Sequence, residues 1–140
     1  MNKPEFIVRP DGTKESYLNG QLHRLDGPAV EWADGLKEWR LNSQLHREDG
    51  PAVEYASGSK EWYLNGQLHR EDGPAVEWTD GSKDWWLNGK RHRVDGPAIE
   101  HLDGTKEWYL NGRNMTFKKW TKQVGWTREQ IAEYILTNEY

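Results

Sequence analysis

Glu61-Trp62-Tyr63-Leu64-Asn65-Gly66-Gln67-Leu68-His69-Arg70-Glu71-Asp72-Gly73-Pro74-Ala75-Val76-Glu77-Trp78 recurs, lightly edited, on both sides of itself. The Asn of each Leu-Asn pair marks the spacing: Asn19, Asn42, Asn65, Asn88 and Asn111 stand 23 residues apart. A fixed period between about 20 and 50 residues signals a stacked array, in which each unit buries its apolar surface against its neighbours. Residues 5–20 form a truncated first unit, with Phe6-Ile7-Val8-Arg9 in the phase of Ala29-Val30-Glu31-Trp32. Full units begin at Gln21, Gln44, Gln67 and Lys90, and the pattern stops after Gly112.

Turn chemistry sets the expected hairpins. Both central residues of a type I′ turn need positive φ, which Asn and Gly tolerate, so Asn65-Gly66 predicts a two-residue turn. That turn places Leu64 opposite Gln67, Tyr63 opposite Leu68 and Trp62 opposite His69. One step further the same register pairs Glu15 with Arg24, Glu38 with Arg47, Glu61 with Arg70 and Asp84 with Arg93. Unit two carries Ser43 in place of the Gly, which predicts a strained or differently shaped turn. The other turn, Pro10-Asp11-Gly12 and its equivalents, reads as a three-residue loop ending in a left-handed Gly. Glu31, Glu54, Glu77 and Glu100 then face Lys37, Lys60, Lys83 and Lys106. Alternation along these strands puts Trp62, Leu64, His69 and Ala52 on one face, and Tyr63, Leu68, Val53 and Tyr55 on the other.

After Gly112 the period of two gives way to one near 3.6 residues. Thr116 to Val124 carries Phe117, Trp120, Thr121 and Val124 on one side and ends at Gly125. Thr127 and Gln130 form a capping-box pattern, Trp126 is placed to staple onto Ile131, and Ile131, Tyr134, Ile135 and Asn138 mark an inner stripe. The expected organisation is an all-β ribbon of antiparallel hairpins over residues 1–114, closed by a short helical cap over 115–140. The cap would cover a sheet edge that otherwise templates aggregation.

Composition narrows the function. Nine Trp and six Tyr in 140 residues concentrate apolar surface in a few large side chains. Residues 1–112 hold 14 Lys and Arg against 20 Asp and Glu, whereas residues 113–140 hold 5 against 3. An acidic array lacks the basic stripe that duplex nucleic acid requires, and it disfavours anionic membrane surfaces. Lys118, Lys119 and Lys122 in the cap are too few to reverse this. The chain has no Cys, no apolar run of membrane-spanning length and, within Met1 to Pro10, no apolar h-region of a secretion signal, which together predict a cytoplasmic protein.

Glu61-Trp62-x2-Asn65-Gly66-x2-His69, followed by Asp72-Gly73 and Gly81, resembles the 23-residue MORN repeat over residues 5–112. Arg70 stands where that family carries the Gly after His, and Lys60-Glu61 where it carries Gly-Glu. The variant Asn-Gly-x2-His-Arg-x-Asp-Gly-Pro-Ala is similar to a divergent group in small proteins of tailed phages and large DNA viruses. The resemblance implies a non-catalytic β-hairpin array used for protein contacts or dimerisation. Gly58-Ser59-Lys60-Glu61-Trp62-Tyr63-Leu64-Asn65 is similar, over a shorter stretch, to the core of choline-binding repeats, whose aromatics cage a quaternary ammonium.

The recurrent polar residues have structural readings. His23, His46, His69 and His92 are spaced by a whole unit, unlike a metal set, and read as bend residues packed beside Trp and bonded to backbone. Asp26, Asp49, Asp72 and Asp95 read as caps of their own turns. Arg24, Arg47, Arg70 and Arg93 form a potential anion ladder, already engaged by the cross-strand acids. No nucleophile elbow or phosphate loop is present, so neither enzyme activity nor a cofactor or metal is expected.

Specificity then falls to the positions where units differ. These are Leu25, Glu48, Glu71 and Val94 at the bend; Tyr17, Arg40, Tyr63, Trp86 and Tyr109 on the long strand; and Trp32, Tyr55, Trp78 and His101 on the other strand. The expected binding residues are Arg40, Tyr63, Trp86, Tyr109, Trp32, Tyr55, Trp78, Glu48 and Glu71. The expected function is a phage-encoded interaction module acting on a host protein such as a defence enzyme, with homodimerisation possible. The alternative is a small-ligand binder using aromatic clefts between units, for choline-like cations or nucleotides.

Overall fold

The computed structural model describes residues 3–138, so the outermost residues of both predicted segments, 1–2 and 139–140, lie outside it. A 12-stranded antiparallel sheet runs the length of the array and meets its strands in chain order, from Glu5–Val8 and Lys14–Leu18 to Lys106–Leu110 and Arg113–Met115. The Asn-Gly turns have the anticipated form: Asn65 and Gly66 lie at φ 50° and 77°, and Tyr63 pairs with Leu68 and Leu64 with Gln67. Ser43 keeps the same turn shape by adopting φ 67°, a left-handed conformation that costs a side chain energy and a glycine none. The three-residue loops also form, with Glu31 opposite Lys37, Glu54 opposite Lys60, Glu77 opposite Lys83 and Glu100 opposite Lys106. Here the Asp of the loop, as in Asp80, accepts the N–H of the residue two positions on.

Each interior long strand departs from the expected continuous ladder. It divides at its Trp: Lys60–Glu61 belongs to the main sheet, whereas Tyr63–Leu64 pairs with Gln67–Leu68 in a separate hairpin. The cause lies in one residue's two backbone groups. Trp62 donates its N–H to Ala75 O and accepts from His69 N–H, so its two bonds serve two ladders that diverge there. Trp39 and Trp85 do the same. Neighbouring hairpins are tied by Arg47 N–H to Tyr63 O and Gly66 N–H to Leu45 O.

Because the hairpin ladder ends at Trp62 and His69, the expected ion pairs of Arg24, Arg47, Arg70 and Arg93 with Glu15, Glu38, Glu61 and Asp84 do not form. Arg70 instead lays its guanidinium on the Trp62 ring, 3.9 Å from the centroid. From there it donates to Asp72 Oδ1 at 2.9 Å and to Pro74 O and Glu77 Oε1, both at 3.0 Å. A Cβ on Gly73 would stand 3.0 Å from the Arg70 Cζ, so the bend passes close enough to the guanidinium that only glycine fits without displacing it. Arg47 on Trp39 and Arg93 on Trp85 repeat this clamp. The bend aspartates therefore bind the Arg two positions earlier rather than their own turns. In unit one, Ser16 occupies the Trp position and Phe6 the Ala position, and Arg24 lies over Phe6.

Two thin rows make the interior of the array. Ala29, Ala52, Ala75 and Ala98 share the face of the clamped Trp rings, and Val30, Val53, Val76 and Ile99 lie on the opposite face; both rows are buried. At the last unit no Arg follows Trp108 at the clamp spacing, since Thr116 stands there and begins a helix. Helix α1 (Phe117–Val124) is capped by Thr116 and closed by left-handed Gly125. Helix α2 (Arg128–Asn138) opens with the reciprocal Thr127–Gln130 bonds of a capping box. Phe117, Trp120 and Tyr134 surround Trp108 at centroid distances of 4.6 to 5.5 Å, and the Trp120 indole donates to Arg93 O. Trp126 packs on Phe117, Trp120 and Tyr134. Of the predicted inner stripe, Ile131, Tyr134 and Ile135 are half-buried, while Asn138 is exposed and bonds back to Tyr134 O.

Candidate interaction face

On the face opposite the clamps, three positions of each unit share one side. They are the residue before the Asp-Gly loop, an acid six residues later and a residue two further on. Strand alternation points all three the same way, since positions two apart share a side and the loop register carries that side across. In unit three, Tyr55 and Tyr63 donate their hydroxyls to the two oxygens of Glu61, both at 3.0 Å. In unit one Arg9 and Tyr17 bond Glu15. In unit five His101 and Tyr109 bond Glu107 at 2.8 and 3.0 Å. In unit two Arg40 holds Glu38 at 2.7 Å and also reaches Ser43 O. Unit four differs: Asp84 takes its bond from Arg91 at 3.2 Å, and the buried Trp86 Nε1 and Arg91 Nε have no hydrogen-bond partner.

The result is a row of acids flanked by two rows of larger side chains. Burial, then the Glu61 charge, pushes both the Tyr55 and Tyr63 phenols upward, so they remain neutral donors at ordinary pH. The Glu107 hydrogen bond raises His101, and the same bond lowers Glu107. Outermost stand Trp32, Tyr55 and Trp78, at 42%, 38% and 46% exposure, with Arg9 and His101 at the row's ends. Arg40, Tyr63, Trp86 and Tyr109 are half-buried behind them. Seven of the nine predicted residues thus share one face. Charge pattern alone assigns the acid row among them to the clamp arginines, although a spacing of six and two residues with period-two alternation places it here.

Glu48 and Glu71 belong elsewhere. They are exposed at the bends, beside His46 and His69, and line grooves on the clamp face. One groove, ≈ 750 Å³, is lined by the 47–51 bend, Trp62, Leu64, His69 and the next bend, and a second of ≈ 720 Å³ repeats it around Trp39. The Trp faces in these grooves already carry Arg47 and Arg70, the position a caged ammonium would take. The histidines bond backbone as expected and reach the next Asn-Gly hairpin: Nδ1 of His23, His46, His69 and His92 accepts the N–H of Asn42, Asn65, Asn88 and Asn111. Among the described residues no group of three or more His, Cys, Asp or Glu is arranged to hold a metal ion, and no helix is long and apolar enough to cross a membrane.

No family model matches the chain, and no curated protein matches it.

Proposed function

We propose that the chain is a non-catalytic, MORN-like interaction module, encoded by a phage and acting in the host cytoplasm to bind and restrain a host protein such as a defence enzyme. The observation that carries this reading is the exposed line of Trp32, Tyr55 and Trp78, with Tyr55 held by Glu61 behind it. Aromatic side chains held in place lose little freedom on contact, and such residues anchor interfaces. The row also differs from unit to unit while the clamp face repeats, as a surface fitted to one partner would. The phage assignment rests on the resemblance of the Asn-Gly-x2-His-Arg-x-Asp-Gly-Pro-Ala unit.

The test compares the native chain with Trp32→Ala/Tyr55→Ala/Trp78→Ala as baits in bacterial host lysate. A stoichiometric partner held by the native chain and lost by the triple variant, with the variant's melting temperature maintained, is the expected result. Capture of the same proteins by both baits, or of none, overturns it. Small-ligand binding in the grooves is the weaker reading, because a choline-like cation must displace Arg47 or Arg70 from its ring. Choline and nucleotides are accordingly expected to leave Trp fluorescence and melting temperature unchanged.

A further inference from the structure

The sheet's two ends are finished differently. Helices α1 and α2 pack over Trp108 at the C-terminal end, whereas Glu5–Val8 forms the other edge of the strand order among the described residues. The backbone groups free on that edge follow from its register. Arg9 N–H donates to Thr13 O, and the same ladder aligns Ile7 with Glu15 and Glu5 with Tyr17. Antiparallel ladders alternate, so Glu5, Ile7 and Arg9 bond inward, and the N–H and C=O of Phe6 and Val8 point outward. Phe6 and Val8 side chains are 66% and 70% exposed. Pro4 and Pro10, with no N–H to offer, bracket the segment.

We propose that this edge pairs with the same edge of a second copy, antiparallel and centred on Ile7. The sequence Glu5-Phe6-Ile7-Val8-Arg9 is complementary to itself in that register. Glu5 faces the second copy's Arg9, which also holds Glu15 of its own chain, and Phe6 faces Val8, on either side of a two-fold axis that passes between the two Ile7 residues. Phe6 and Val8 then exchange both backbone bonds with their opposites, four bonds in all. The next outward positions are Pro4 against Pro10, so pairing stops there. The two-fold axis stands perpendicular to the sheet, which leaves the aromatic rows of both copies looking out on one side and a helical cap at each far end. The outward groups of Phe6 and Val8 are then paired and no longer offer a template for further strands. The contact is short compared with a standard interface of about 800 Å² per partner, so the dimer dissociates on dilution.

Sedimentation velocity of the full chain over a concentration series, from low micromolar to near millimolar, reads this directly. The expected result is a shift from monomer to dimer mass. Val8→Pro removes two of the four intermolecular N–H donors and no bond to Lys14–Leu18, and should weaken dimerisation about tenfold or more. Glu5→Lys sets like charges against each other and should weaken it too, while mixing that variant with Arg9→Glu, whose fold is checked alone because it also loses the bond to Glu15, restores complementary pairs and should restore the dimer. Circular dichroism monitors the fold; if Val8→Pro alters it, the charge-exchange pair decides. Monomer mass throughout, or a dimer indifferent to Glu5→Lys and to a folded Val8→Pro, overturns the proposal. Either outcome leaves the separate reading of the aromatic row standing.

Discussion

The two faces of this ribbon are made from the same strands and follow opposite rules. On the clamp face Ala, Trp, His and Arg recur with the same partners in each interior unit, down to an Arg–Trp distance of 3.8 to 3.9 Å. On the other face a buried Val or Ile and the acid recur, and the residues flanking the acid do not. Its flanking residues run Arg, Trp, Tyr, Trp and His before the loop, and Tyr, Arg, Tyr, Trp and Tyr after it. The clamp face determines how units stack, and every unit must solve that problem alike. Once stacked, the opposite face is free to vary around one carboxylate per unit.

Five measurements would break or sharpen this contrast. Trp120→Ala removes the fully buried ring that closes the clamp face at Trp108, and should destabilise by about 3–5 kcal/mol in denaturant unfolding. Arg70→Ala uncovers Trp62 and leaves Pro74 O and Glu77 without their donor, and should cost about 2 kcal/mol. Were Arg70→Ala neutral, the division between the faces would fail. Ser43→Gly relieves a left-handed side chain and should raise stability by about 1 kcal/mol, marking a variable position that serves no partner. Trp78→Ala, on the varied face, should shift the unfolding midpoint by no more than about 0.5 kcal/mol while abolishing capture of the partner.

The smallest effect is the pH response of His101 and Glu107. The raised His101 stabilises fully below its ordinary value of 6.5, and that contribution fades as pH rises through its folded value. The lowered Glu107 stabilises above its ordinary 4.5 and fades as pH falls through its folded value. Their combined contribution is therefore fullest between 4.5 and 6.5. An NMR titration should find the His101 midpoint above 6.5, and Glu107→Gln should bring it back down.

Turns and caps were legible in the sequence because their chemistry is local. Positive φ at Asn65-Gly66, the loop before Lys83 and the Thr127–Gln130 capping box each depend on residues a few positions apart. The strand division at Trp62 was not, because alternation looks the same whether one ladder continues or two diverge. The partner of Arg70 escapes the sequence for a related reason. A long guanidinium can reach either Glu61 across the hairpin or the Trp62 ring and Asp72 beside it, and charge pattern alone favours the first. Seven of the nine candidate binding positions fell on one face because period-two alternation carries that information. Glu48 and Glu71 did not, since they sit on bends where alternation ends.

The bonds from each His to the Asn of the next hairpin also bear on how such a chain evolves. Every interior junction uses the same atoms at the same spacing, so a gene gaining or losing one repeat by unequal crossing-over creates no junction the fold has not already made. Length becomes a heritable variable nearly independent of folding. The number of aromatic residues offered to a partner can grow or shrink by recombination, faster than point mutation could build a new surface.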